Sequence, residues 1–459
     1  MSSETKQLKK PFPIQHCPDD ILRLILDKHV LTKHRFEDFY SFIATIRLSH
    51  VCRRWRAVAI STPSLWRRIT LNIRARSEEK NKALAEMFVS RVKHVPADIC
   101  LMVHGHELGD DRRAAIETLQ APYIRHIVSV PSIETLTLLL CQITHRSGAV
   151  VYGGALLENM DIFPDIEVEH LSIDCMRTYT EPVNPFIARS LPMRKLSLWS
   201  VYFGLKLDST LYLALKKLVE VKFRQVEQLP LLAFLRMAPT IQRLKLESCS
   251  ITDAPNHGRH ALELPSLRSL YIAHTNFPWE SIQCPYLTQV HLSFSKDTID
   301  CWQFLQRTPS ITDIYELHMH DPRNYIRLAN STSRITSLDA RAPQELLSLL
   351  ANSQEFGLSE PAFPKLTRLI VWFDNGDFPL SVLETFVRAR CLPSDHPQST
   401  MDNRITDPLK AFTIAIQPHY VKGQWKVFLD AYFTRTTHQS YPNTRYHFKV
   451  MADVLAWRT

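Results

Sequence analysis

The segment Ile241-Gln242-Arg243-Leu244-Lys245-Leu246-Glu247-Ser248-Cys249-Ser250-Ile251 decides the fold. Leu244 and Leu246, two apart, share one face of an extended strand and leave Lys245 on the other. Cys249 and Ile251 follow as a turn back into an apolar interior. The same spacing occurs at Ile133, Leu136, Leu138, Cys141 and Ile143. Met193, Leu196, Leu198, Val201, Phe203 and Leu267, Leu270, Ile272, Thr275, Phe277 keep it except at the cysteine position. Looser copies centre on Leu171, Val221, Val290, Ile314, Leu338, Leu369 and Phe412. Pro131, Pro239, Pro265, Pro285, Pro309 and Pro364 each stand five residues before a strand centre. A proline there ends the preceding helix and withholds only an N–H that the turn does not use.

Successive centres are mostly 20–26 residues apart, within the roughly 20–29 expected of the leucine-rich repeat, whose signature L-x-x-L-x-L-x-x-[NC]-x-L these segments match. The resemblance implies an irregular α/β solenoid with parallel strands on the concave side and helices on the convex side. Apolar periodicity predicts helices at Leu211–Leu218, Leu229–Met237, Trp302–Leu305, Gln344–Ala351, Leu380–Ala389 and Gln424–Phe433. Residues 77–125 read as an irregular lead-in unit, with a helix carrying Leu84, Phe88 and Val92 before a strand at Ile99–Val103. Residues 441–459 read as a terminal cap, so the solenoid spans 77–459. The residues between and after the strand leucines point to the concave face. They are Thr137, Ser172, Ser197, Lys222, Lys245, Tyr271 and His291, with Trp199, Arg224, His274 and Trp372 nearby. Lys222, Arg224, Lys245, Tyr271 and His291 are the candidates for binding a target protein.

The first part of the chain has a different pattern. Residues 1–10 read as a disordered tail. Pro18-Asp19-Asp20 opens a helix, with acids where the dipole favours them, and Ile21, Leu22, Leu24, Ile25 and Leu26 follow. Lys33–Asp38 reads as a loop. A second helical pattern runs from Phe39 through Phe42, Ile43, Ile46, Leu48, Val51, Cys52 and Trp55 to Val58. Ser61-Thr62-Pro63-Ser64 breaks it before Leu65-Trp66.

Cys17-Pro18-Asp19-Asp20-Ile21-Leu22 and Val51-Cys52-Arg53-Arg54-Trp55, in this order, closely resemble the opening and closing motifs of the F-box in its fungal-type form. Cys17 replaces the usual first leucine, and the segment between the helices is longer than in a minimal F-box. The resemblance places an F-box-like domain at 11–71. It implies docking onto a Skp-type adaptor and, through it, a cullin-based ubiquitin ligase. The adaptor-contact candidates carried over by position are Pro18, Leu22, Ile25, Leu48, Val51, Cys52 and Trp55, with Leu65 and Trp66 closing the unit. A unit this small buries little of its own surface, so completion by a partner is physically reasonable. Arg53, Arg54, Arg56, Arg67 and Arg68 would complement an acidic adaptor.

Composition narrows the remaining classes. The chain has 459 residues, 45% of them hydrophobic and 22% charged, ordinary for a globular protein. Its 10 glycines fall in no phosphate-cradling loop pattern, which argues against the usual nucleotide enzymes. The 9 cysteines are scattered without a C-x-x-C pair, against a zinc site or disulfide framework and for a reducing compartment. No secretory signal or membrane-spanning run is visible, so the expectation is a cytoplasmic or nuclear protein. Asn330-Ser331-Thr332 reads as a plain loop. Residues 51–100 hold eleven Lys or Arg against four Asp or Glu, but no nucleic-acid motif accompanies that charge. His104-Gly105-His106-Glu107 with Asp110 and Asp111, and His318, His320 and Asp321, have metal-ligand types without a metal-site spacing. The reading is therefore of no catalytic residue, no metal and no cofactor. The expected role is the substrate-recognition subunit of a Skp–cullin–F-box ligase, with a protein target and neither membrane nor nucleic acid as partner. The alternative is a leucine-rich-repeat binding scaffold whose F-box does not assemble into a ligase.

Overall fold

The computed structural model describes residues 17–31, 41–73, 78–104, 122–128, 130, 132–141, 168–175, 187, 193–203, 209–252, 261–293, 299–318, 323–331, 334–341, 344–373, 379–391, 409–416 and 446–451. The chain divides into two compact units, Met1–Leu215 and Lys216–Thr459. The tail at 1–10, the 33–38 loop and the 424–433 helix of the sequence reading lie outside the described residues.

The first unit opens with helices α1 (Asp19–Leu31), α2 (Ser41–Ser49) and α3 (Arg53–Ser61), closed by a 3-10 turn at Pro63–Trp66. The sequence pattern suggested one continuous helix from Phe39 to Val58, and the structure breaks it at residues 50–52. The N–H groups of His50 and Val51 turn back to the carbonyls of Arg47 and Leu48, at 3.0 and 3.3 Å. Cys52 is extended, and its Sγ accepts the Trp55 N–H at 3.4 Å as the N-cap of α3. Arg56 Nε donates to the Ser49 carbonyl at 3.0 Å, satisfying one of the acceptors left over where α2 stops. Trp66 is fully buried and donates Nε1–H to the Ala59 carbonyl at 2.7 Å.

The head continues into the sheet without a linker. Strand β1 (Arg68–Ile73) pairs in parallel with β2 (Ala97–His104), so the sheet begins at Arg68 and not after residue 76. The alternation of buried Ile69, Leu71 and Ile73 with more open Thr70 and Asn72 marks the strand. Arg67 and Arg68 reach Asp98 at 3.2 and 3.0 Å, and Arg67 also reaches Glu134 at 3.0 Å. Helix α4 (Glu78–Val92) follows β1, burying Phe88 and Val92, and its Arg91 guanidinium lies 4.2 Å from the Trp66 ring centroid. β3 (Ile133–Cys141), β4 (Val168–Cys175) and β5 (Lys195–Trp199) extend the sheet, all parallel. The unit ends in a helix at Ser209–Leu215.

The second unit carries parallel strands β6 (Glu220–Arg224), β7 (Arg243–Glu247), β9 (Ser269–Ala273), β11 (Gln289–Ser293), β12 (Asp313–His318), β13 (Ser337–Arg341), β14 (Arg368–Phe373) and β15 (Ala411–Ile416). β16 (Tyr446–Met451) pairs antiparallel with β15 and ends the ladder, and β8 (Leu262–Glu263) pairs separately with β10 (Ile282–Gln283). The expected strand centres align across every parallel pair: Val221, Leu244, Leu270, Val290, Ile314, Leu338, Leu369 and Phe412 stand in one row, each buried. Helices at Leu231–Met237, Ile299–Arg307, Gln344–Ala351 and Leu380–Arg390 fall where the pattern predicts them. A further helix at Arg323–Ser331 includes Asn330 and Ser331, so the expected loop there is the last turn of a helix. Phe223 meets Phe234 at 5.2 Å, and Phe386 meets Phe412 at 5.0 Å. The helices therefore cover the face of the leucines and leave the Lys222 face open.

Two repeated devices hold the strand ends. After β5, β6, β7 and β9 a non-glycine residue turns left-handed: Ser200, Gln225, Ser248 and His274, at φ near +50°. Such a conformation costs roughly 1–2 kcal/mol. The N–H groups of Gln225, Ser248 and His274 each bond the last carbonyl of the next strand, at 2.8, 2.8 and 3.0 Å, which offsets that cost. Before the strands runs a threonine ladder. Thr288, Thr312, Thr336 and Thr367 each donate the N–H to the equivalent carbonyl one unit earlier, at 3.0, 2.9, 2.8 and 2.9 Å. Thr275 takes the place of the cysteine in its copy: its Oγ1 accepts the Cys249 N–H at 3.0 Å and donates to the Ala273 carbonyl at 3.0 Å.

Candidate functional site

Register places Lys222, Lys245, Tyr271, His291 and Tyr315 side by side across five strands on the open face of the second unit. The Lys245 ammonium lies 4.2 Å from the Tyr271 centroid, the Tyr271 and His291 rings are 4.2 Å apart, and Tyr315 follows at 6.1 Å. Arg224 pairs with Glu247 at 3.3 Å, Lys245 with Glu247 at 3.5 Å, Lys222 with Glu220 at 2.7 Å and Arg243 with Glu220 at 2.5 Å. Burial works to raise the Glu220 pKa, but hydrogen bonds and charge from Lys222 and Arg243 outweigh it and hold the carboxyl below its usual range. At the far end the Trp372 indole donates to Asp339. Burial, together with Asp313, pushes the Tyr315 phenol up. The five target-binding candidates are thus brought together. Tyr315 joins them although the sequence reading passed over it, and its place between Ile314 and Leu317 was the available signal. Thr137 and Ser172, expected on this kind of face in the first unit, are buried. Ser197 is half-buried and bonds His170 at 3.0 Å. His274 is exposed, in the left-handed turn after β9 and not on a strand.

The head presents the opposite kind of surface. Leu22 and Leu26 fill its interior together with Cys17, Val58, Ala59, Leu65 and Trp66. Ile21, Leu24, Ile25 and Val51 remain 44%, 64%, 41% and 59% exposed. Leu22 is a correction: it faces inward from α1 and is closed to a partner, while Ile21 and Leu24, not singled out from sequence, face outward with Ile25. Pro18 and Cys52 are exposed, and Leu48 and Trp55 half-buried. Cys17, which stands where the F-box motif usually has leucine, is buried. Arg54 is used internally, bonding the Asp19 carboxylate at 2.6 Å and the Cys17 carbonyl. Arg67 and Arg68 are likewise committed to Asp98, whereas Arg23, between Ile21 and Leu24 on α1, and Arg53, close to Val51 in sequence, are exposed.

Comparison with protein families places residues 14–72 in the F-box-like family. The head is an F-box-like domain. Its matched residues end inside β1, so the domain supplies the first strand among the described residues. No curated protein matches the chain.

Among the described residues, no group of three or more metal-ligating side chains comes together, and no helix is long and apolar enough to cross a membrane. His106, Glu107, Asp110, Asp111, His320 and Asp321 lie outside the described residues. Cys17, Cys52, Cys175, Cys249, Cys284 and Cys391 stand outside any disulfide. Burial pushes Cys284 and Cys391 up to about 12 and raises Cys175 and Cys249 as well, which keeps them protonated near neutrality and poor as nucleophiles.

Proposed function

We propose that the chain is the substrate-recognition subunit of a Skp–cullin–F-box ubiquitin ligase, with its repeated sheet a leucine-rich-repeat solenoid of the kind the sequence resembles. The observation that carries the reading is the exposed apolar group on the F-box-like domain. Ile21, Leu24, Ile25 and Val51 lie on α1 and at the α2–α3 turn and stay open, while Leu22, Leu26, Val58, Leu65 and Trp66 are buried. F-box domains generally bind Skp-type adaptors, and side chains of this size bring about 1.5–3 kcal/mol each when a partner removes them from water. The adaptor would link the chain to a cullin, and the open face of the second unit would hold the target protein. On this reading the chain breaks and forms no bond. It raises the local concentration of the target's lysines near a ubiquitin-charged enzyme. A cytoplasmic or nuclear location follows from that role.

Co-expression with a Skp-type adaptor tests the reading. A stoichiometric complex on size-exclusion chromatography that Val51→Asp dissolves is the expected result. A folded chain that stays monomeric beside the adaptor would favour the scaffold alternative.

A further inference from the structure

We infer that the open face of β6, β7, β9, β11 and β12 recognises a carboxylate-rich extended segment of a protein. This deepens the proposal above, since it rests on that face being where the target binds. The argument begins with which charges reach solvent. The four cations on β6 and β7 are well exposed, with Lys222, Arg224, Arg243 and Lys245 side chains at 50%, 46%, 59% and 40%. The two carboxylates between them lie deeper, Glu220 at 13% and Glu247 at 24%. Four positive and two negative groups leave a net charge of +2 on these two strands, and Asp313 on the same face of β12 reduces the excess to +1 across the five. An approaching chain meets that excess as ammonium and guanidinium heads. Opposite charge on the partner is what such a surface selects.

The strip beside the cations fixes the class of partner further. The Tyr271 and His291 rings lie 4.2 Å apart, tilted at 39°, with Tyr315 6.1 Å beyond, and Lys245 lies over the Tyr271 ring. Lys245 and His291 flank the Tyr271 ring, the His291 Nε2 is buried, and the Tyr315 hydroxyl hydrogen-bonds Ser337, so the row is closed around its own rings. Nucleic acid needs open aromatic faces on which bases stack, and this row uses its faces internally. The cations are also spread over two strands and already share carboxylates. That arrangement fits several separate single charges along a chain better than one dianionic phosphate, which calls for converging guanidiniums.

The test uses the full chain and fluorescein-labelled oligoglutamate, read by anisotropy, with labelled oligouridine alongside. Oligoglutamate should bind, with affinity falling as salt rises. The double variant Lys222→Glu/Lys245→Glu should weaken it about tenfold or more, the scale of losing one desolvated charge contact. Lys222→Gln/Lys245→Gln should weaken it less, and serves as the readout if the charge reversal unfolds the protein. Lys216→Glu/Lys217→Glu makes the same change in net charge at exposed positions in the turn before β6, and should leave the affinity within about twofold, as distant surface charges do once screened. Equal loss in that control, no loss in the Lys222/Lys245 variants, no binding of oligoglutamate, or tighter binding of oligouridine would each overturn the inference. Adaptor binding is read separately through Val51→Asp, so failure of the ligase reading leaves this result intact and the converse also holds.

Discussion

The F-box-like domain and the sheet of the second unit use the same apolar residue types to opposite ends. In the sheet, Val221, Leu244, Leu270, Val290 and Ile314 all enter the interior, and the outer face shows lysine, tyrosine and histidine. In the head, Leu22 and Leu26 go inside while Ile21, Leu24 and Ile25 from the same helix stay in water. The sheet repeats one register and satisfies itself unit by unit, which frees its outer positions to vary. A three-helix head of this size has too little interior for all of its apolar side chains. On the proposed reading, the surplus is where the adaptor docks.

Substitutions that remove one feature from either region sharpen this contrast. Leu244→Ala removes a buried side chain from the central row and should cost about 2–5 kcal/mol of stability, read by denaturant unfolding; adaptor binding by the folded fraction should be unchanged. Thr275→Val keeps the shape but leaves the buried Cys249 N–H without its acceptor, at about 1–3 kcal/mol. Ser248→Gly relieves a left-handed non-glycine residue and should stabilise by up to about 1 kcal/mol, the one change here expected to raise the melting temperature. Glu220→Gln should have the smallest effect, and one that depends on pH. The folded carboxyl sits below its ordinary 4.5, so its stabilising contribution is present above that value and lost as pH falls through the folded pKa. The wild type should exceed the variant in stability near neutrality, and the two should converge in acid. A gap that persists at low pH would mean that Glu220 acts by packing and not by charge.

Much of the sheet was legible because its signal is redundant. The L-x-L pair, the period and the proline five residues ahead all mark the same strand, and each of the strand centres from Leu136 to Phe412 lies in one. The turns were not legible. Left-handed residues are normally announced by glycine, but here they are serine, glutamine and histidine, and the N–H groups of Gln225, Ser248 and His274 donate to carbonyls of the next strand that no local pattern reveals. Thr275 looked like a departure from the motif because its hydroxyl performs the same bonding with a different side chain.

The head shows a second kind of limit on sequence reading. Ile21, Leu22, Leu24, Ile25 and Leu26 cover most of the circumference of α1, so periodicity alone does not choose the inward face. The packing of α2, α3 and Trp66 chooses it, and Leu22 goes in while Leu24 stays out. The break at residues 50–52 escaped notice for a similar reason. Val51 and Cys52 continue the apolar spacing, yet they form the turn and the cap. That break is what brings Val51 to the surface.

The central claim is that the exposed apolar group of the F-box-like domain is a docking face. The most direct measurement is size-exclusion chromatography of the chain co-expressed with a Skp-type adaptor, for wild type and Val51→Asp, with thermal unfolding of both. The account predicts a one-to-one complex for the wild type, none for the variant, and closely similar melting temperatures, because Val51 already stands in water. A variant that remains folded and still co-elutes with the adaptor would contradict it.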